Sequence, residues 1–188
     1  MQNERLFEGT VASESIYDGR VLHVFRDTVS LPDGNTSVRE YAKHKGAVAV
    51  VPLTDEEEVI CVRQYRYAHR KVLLEIPAGK LDHLTEDFLE ATRRELREET
   101  GATCDRLEFL GDLISTPALI DEVIHMYLAR GLKFGETDPD EDEFLDVVRI
   151  PLTRLVEMVM NGEIKDSKTQ TAILKTHFIL EKEKAERK

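Results

Sequence analysis

Residues 79–102 run Gly79-Lys80-Leu81-Asp82-His83-Leu84-Thr85-Glu86-Asp87-Phe88-Leu89-Glu90-Ala91-Thr92-Arg93-Arg94-Glu95-Leu96-Arg97-Glu98-Glu99-Thr100-Gly101-Ala102. From residue 85 to 100 the period is helical. Phe88, Leu89, Ala91, Thr92 and Leu96 fall on one side, Thr85 stands where an N-cap belongs, Glu86 and Asp87 suit the positive end of the dipole, and Gly101 sits at the C′ position. Glu95, Glu98 and Glu99, spaced by three and four, project from neighbouring positions on one side of this helix. Like charges at that spacing cost a few tenths of a kcal/mol per pair, and negative charge at a helix C-terminus opposes the macrodipole. Local stability therefore does not account for the cluster. A hard divalent cation does, because Mg²⁺ takes one or two carboxylates, keeps several waters and completes its shell with substrate phosphates.

Outward from this helix the texture is that of strands. Residues 46–53 form an unbroken apolar run typical of a strand buried on both faces, and residues 59–65 make a second after the acidic turn 55–57. Residues 72–76 are a short apolar segment stopped by Pro77-Ala78-Gly79. Strand-like stretches return at 107–113, 123–128 and 144–150, and amphipathic helices at 152–160 and 167–183. Upstream, residues 21–31, a turn at 32–35 and a returning strand at 36–43 make a small antiparallel unit. The expected fold is an α/β/α sandwich over residues 46–188, with an N-terminal antiparallel β unit over residues 1–45.

Composition narrows the function. The 188 residues carry 26 Lys and Arg against 37 Asp and Glu, a net charge of −11, with 41% hydrophobic content. A basic face that would hold nucleic acid is missing, and no apolar run approaches the ~20 residues of a membrane span. Cys61 and Cys104, 43 residues apart, suggest neither a disulfide framework nor a thiolate metal site. With no basic flank and apolar run at the N-terminus, a cytoplasmic setting is expected. Cys61 reads as a core residue and Cys104 as a loop thiol. The six histidines show no metal-ligand spacing, and none is given a catalytic role.

Taken together, Gly79, Glu86, Arg94-Glu95-Leu96, Glu98-Glu99 and Gly101-Ala102 closely resemble the box of the Nudix hydrolases, G-x5-E-x7-R-E-U-x-E-E-x-G-U with U aliphatic. One departure is visible: six residues, not five, separate Gly79 from Glu86. The resemblance spans residues 8–175 and, through Arg39-Glu40-Tyr41, residues 44–50, Arg63-Gln64-Tyr65-Arg66, residues 74–80 and Ser115-Thr116-Pro117, looks like the branch of ADP-ribose pyrophosphatases and nucleoside diphosphate sugar hydrolases. That branch continues after its proline with glycine and an aromatic residue, whereas this chain has Ala118-Leu119.

The resemblance implies a Nudix α/β/α fold and Mg²⁺-dependent hydrolysis of ADP-ribose to AMP and ribose 5-phosphate, with Mn²⁺ able to substitute. Its rivals are hydrolysis of ADP-glucose or GDP-mannose and, in a different class, a non-catalytic nucleotide sensor, against which the intact glutamates speak. It implies Glu95 and Glu99 as principal metal ligands, Glu98 as a shared or second-sphere one and the carbonyl of Ala78 as another, while Arg94 pairs with Glu86 across the loop, and Gly79 and Gly101 shape the box. Glu143 is implied as general base, with Glu141 as understudy and Glu98 as a further candidate. Arg39 and Arg66 would touch phosphate or ribose, Pro117 and Glu122 belong to the sugar-side loop, and Phe25, or less favourably Tyr17 or Tyr41, would stack on adenine. Branch members are domain-swapped homodimers, with the N-terminal sheet, here residues 1–45, reaching the partner's site.

Overall fold

Asp33 accepts the Asn35 N–H at 3.0 Å and Gly34 adopts φ +85°, which closes the turn between two strands of the first sheet. The computed structural model of the protein describes residues 4–135 and 144–187. Strands β1 (Gly9–Asp18), β2 (His23–Ser30) and β3 (Thr36–Lys43) form an antiparallel sheet in the order β1-β2-β3. The described residues up to Lys45, together with Ile114–Glu122, form one compact unit. In it the Ala42 N–H donates to the Leu119 carbonyl at 2.8 Å, and the Asp121 N–H returns to the Ala42 carbonyl at 3.2 Å.

The second unit comprises Gly46–Leu113 and the described residues from Val123 onward. Along the chain come β4 (Ala47–Pro52), β5 (Glu58–Arg66), β6 (Lys71–Glu75), β7 (Ala78–Lys80), α1 (Phe88–Thr100), β8 (Ala102–Ile114), β9 (Val123–Phe134), β10 (Leu145–Pro151), α2 (Leu152–Met160) and α3 (Ser167–Glu186). Two sheets result, β10-β5-β6 and β7-β4-β9-β8. Strands β4 and β9 run parallel, from Ala47 opposite Ile124 to Pro52 opposite Ala129.

Every residue of β4 is buried, and its period-two alternation explains the layers. Ala47, Ala49 and Val51 share a core with Val59 and Cys61 of β5, Leu152 and Leu155 of α2, and Ile173 of α3. On the opposite face Val48 packs with Ala91, and Val50 with Leu96, both from α1. Helix α1 thus covers one side of β4 while α2 and α3 cover the other, the expected α/β/α sandwich. Burying a side chain such as Leu96 completely stabilises the packing by about 1.5–3 kcal/mol. No helix among the described residues is long and apolar enough to cross a membrane.

Three local expectations need correction. The cap of α1 is Asp87, not Thr85: its carboxylate accepts the N–H groups of Leu89 and Glu90 at 2.9 and 3.1 Å, a job for which aspartate outranks threonine. Residues 77–79 do not merely end a strand. The chain leaves the β5-β6 sheet at Pro77, which has no N–H to continue a ladder, and re-pairs as β7 with β4, Ala78 opposite Ala49. Cys104 lies within β8, half-buried, its backbone carbonyl accepting from Arg93 at 3.1 Å.

Candidate active site

Helix α1 turns its carboxylates inward. At ~100° per residue Glu95 and Glu99 lie about 40° apart, on the face shared with Thr92 and Leu96, and are 8% and 4% exposed. The side chain of Glu98 points about 60° to the other side of Glu95, is partly exposed, and meets Arg94 at 3.1 Å and Arg97 at 3.6 Å. The structure thus buries two of the three carboxylates, Glu95 and Glu99, on one face and leaves the third partly exposed between two arginines.

Strand β7 passes directly beneath this pair. The Ala78 N–H donates to Glu99 Oε2 at 3.3 Å. The Glu95 carboxylate occupies the space a side chain on Gly79 would need, since a Cβ there would fall 2.0 Å from Oε1. That close approach is what requires glycine at this position.

Arg94 holds the rim. Its Nη1 donates to Glu95 Oε1 at 2.7 Å and to Glu98, Nη2 donates to the Lys80 carbonyl and Glu86 Oε1 at 3.3 Å each, and Nε reaches Glu86 at 3.4 Å. The second oxygen of Glu86 accepts the Asp82 N–H at 2.7 Å, so the 80–87 loop, with its additional residue, is tied to α1. Partial burial alone would lower the Arg94 pKa, but Glu95, Asp82 and Glu98 outweigh it and raise it. Gly101 closes the helix at φ +67°, its N–H returning to the Arg97 carbonyl.

A second charged cluster stands at the end of β6. Glu75 is 2% exposed and accepts a two-pronged grip from Arg66, Nε to Oε1 and Nη2 to Oε2, each at 2.7 Å. Lys168 contacts Oε2 as well. Burial would push the Glu75 carboxyl up, yet Arg66 and Lys168 hold it down to about 2. The hydrogen bond to Glu75 raises the Arg66 pKa against its desolvation, and the fields of Asp166 and Glu99 add to the rise. Glu75 and Lys168 escaped the sequence reading as chemistry. The only signal was one acid inside the apolar run Val72-Leu73-Leu74-Glu75-Ile76.

The remaining candidates lie in the other unit. The Phe25 ring stacks on Tyr41 with centroids 5.9 Å apart, and Lys43 Nζ sits 4.4 Å from its centre. The exposed Arg39 is engaged by Glu8 at 2.8 and 2.5 Å. Pro117 opens an exposed turn at 117–119, after which Glu122 accepts from Ser115 Oγ at 2.7 Å and faces His44 Nδ1 at 3.5 Å. Tyr17 is exposed on β1. Glu143 and Glu141 lie outside the described residues.

These residues fit a hard cation. The carboxylates of Glu95 and Glu99, buried one helical turn apart beside the half-buried Ala78-Gly79 backbone, are oxygen ligands of the kind such a cation takes. Among the described residues no three His, Cys, Asp or Glu side chains converge as a closed metal cage. Mg²⁺ needs none, since it is held through one or two carboxylates and substrate phosphates.

Residues 43–170 match the NUDIX domain, and residues 8–42 the nucleoside diphosphate sugar hydrolase N-terminal domain. The chain is 42% identical over 172 residues to the methanol dehydrogenase activator of Bacillus methanolicus, covering 90% of this chain and 92% of that protein. It is 41% identical over 170 residues to the ADP-ribose pyrophosphatase of Bacillus subtilis, covering 89% and 91%. A crystal structure of an ADP compounds hydrolase shares the fold, with a TM-score of 0.83 at 24% identity over 95% of this chain and 97% of that one.

Proposed function

The chain belongs to the Nudix family, and from that premise we propose that it hydrolyses the diphosphate bond of ADP-ribose, giving AMP and ribose 5-phosphate, with Mg²⁺ as its metal and Mn²⁺ as a substitute. The observation that carries this reading is the buried Glu95–Glu99 pair set against Ala78-Gly79. Held by Glu95, Glu99 and the Ala78 carbonyl, the cation would supply charge neutralisation at the diphosphate and a lowered pKa for an attacking water.

The chain's own groups do the rest. Glu98 is assigned as a second-sphere carboxylate that Arg94 orients, and as the reserve base. Arg66 uses Nε and Nη2 on Glu75, and among the described residues its Nη1 donates to no protein acceptor, which suits a phosphate oxygen. Arg39 is assigned to phosphate or ribose of the substrate, exchanging Glu8 for it. Phe25 is assigned to stacking on adenine, and Pro117 with Glu122 to the sugar side. Glu143 is assigned as the base that removes the proton of the attacking water.

We assign the protein to homodimers in which residues 1–45 reach the partner's site. Supporting this is the apolar surface left open in that unit by Val11, Ile16, Tyr17, Val21, Leu22 and Val38. A cytoplasmic location accords with two unpaired cysteines.

A second reading, broader hydrolysis of nucleoside diphosphate sugars such as ADP-glucose and GDP-mannose, is favoured by the N-terminal match at residues 8–42. A panel of nucleoside diphosphate sugars assayed with Mg²⁺ separates the two. ADP-ribose should give the highest kcat/KM, and a clear preference for a GDP- or UDP-sugar would replace the substrate while keeping the chemistry.

A further inference from the structure

Helix α3 begins with an arrangement that helix energetics disfavours. Lys168 occupies its first turn, where the macrodipole is positive, and is 8% exposed. A buried ammonium at a helix N-terminus is disfavoured by both desolvation and the dipole. It persists because Glu75 accepts a hydrogen bond from it and Asp166 pairs with it at 3.1 Å. Asp166 is also the helix cap, accepting the Thr169 N–H at 2.9 Å and the Thr169 hydroxyl at 2.5 Å. That hydroxyl in turn accepts the buried Ile76 N–H at 2.9 Å. One helical turn therefore grips two consecutive residues, Glu75 by side chain and Ile76 by backbone, immediately before Pro77-Ala78.

The charges around Glu75 give the lysine its purpose. Arg66 and Lys168 face Glu75 and Asp166, and the field of Glu99 reaches Arg66 as well. Without Lys168, a single guanidinium would serve both carboxylates, and its pull on an incoming diphosphate would weaken. We propose that Lys168 is a positioning residue for catalysis: it balances Glu75 and Asp166 so that Arg66 presents its remaining N–H groups to the substrate, while Thr169 of the same turn fixes the backbone that carries Ala78. The proposal rests on the hydrolase reading above, and it assigns the two residues different kinetic signatures.

Steady-state kinetics of ADP-ribose hydrolysis with Mg²⁺ test it, alongside thermal melts. Lys168→Gln keeps a donor to Glu75 without the charge, and should raise KM at least fivefold with kcat within threefold of wild type. Lys168→Arg should bring KM back to within twofold. Thr169→Val should do the reverse, lowering kcat more than fivefold with KM little changed, because it frees the Ala78 backbone but leaves the charges. A KM for Lys168→Gln within twofold of wild type, or equal losses in Lys168→Gln and Lys168→Arg, overturns the proposal. Wild-type turnover on ADP-ribose in the same experiment shows whether the underlying activity holds, so failure of one reading is not mistaken for failure of the other. If Lys168→Gln does not fold, an unchanged kcat in Thr169→Val overturns the clamp, and a lowered one supports it.

Discussion

The Glu95 carboxylate sits where a Gly79 side chain would be, 2.0 Å from the position of its Cβ. What would collide is the far end of a side chain, not backbone. Gly79→Ala should therefore displace the carboxylate rather than unfold the protein. We expect hydrolysis to fall by more than tenfold and the Mg²⁺ concentration for half-maximal rate to rise, with Tm shifted by only a few degrees. Unchanged Mg²⁺ dependence would argue that Glu95 does not meet the metal.

Arg94 bonds Glu86, Glu95, Glu98 and the Lys80 carbonyl through a planar fork, which an ammonium cannot imitate. Arg94→Lys should keep the charge and lose the geometry. A 10- to 100-fold fall in kcat/KM is expected, the size usual for outer-shell partners of metal ligands. Activity within twofold of wild type would reduce Arg94 to a surface residue.

Glu75 is held at about 2, below its ordinary value of 4.5. A depressed folded-state pKa contributes stability that is full above the unfolded value and is lost as pH falls through the folded one. This contribution, about 3 kcal/mol, should thus be complete above about pH 5 and fade between 4.5 and 2. Melts of wild type and Glu75→Gln across that range should converge as pH falls. A stability gap that stays constant from pH 7 to pH 3 would contradict the charge-paired reading.

Glu143→Gln should lower kcat by about 10²–10⁴-fold and leave Mn²⁺ affinity, measured by titration, within threefold of wild type. A turnover within twofold would move the base to Glu98.

Burial pushes the Cys61 thiol up to about 12; it also raises the thiol of Cys104, which is only half-buried and where Arg93 opposes the rise. In native protein a thiol reagent at pH 8 should label Cys104 alone, and both residues only after denaturation. Rapid labelling of Cys61 would mean that the β4–β5 core is open.

Sequence carried the fold where a pattern had one physical meaning. The apolar run of β4 pointed to a strand covered on both faces, and its helical cover on either side agrees, whereas its parallel pairing with β9 was not read from the sequence. It misled at the start of α1, where Thr85 and Asp87, two residues apart, are both capping types and Glu86 between them is bound by Arg94. It also missed β7, because three residues between a proline and the 81–87 loop carry no periodicity. At the site, spacing made the acidic cluster of α1 legible, and the resemblance to the Nudix box, not spacing, singled out Glu95, Glu99 and Arg94 within it. The Glu75–Arg66–Lys168 cluster was not legible, because its members lie up to 102 residues apart in the chain and meet only when α3 packs on β6.

The central claim is that Glu95 and Glu99 exist to hold a cation that makes a diphosphate cleavable. Product analysis of ADP-ribose incubated with Mg²⁺ and either wild type or Glu99→Gln tests it most directly. AMP and ribose 5-phosphate should appear in equal amounts with wild type, and more than a hundredfold more slowly with Glu99→Gln at unchanged fold. If Glu99→Gln cleaved ADP-ribose at a rate near wild type, or wild type worked as fast in excess chelator as in Mg²⁺, the buried carboxylates would have some other purpose.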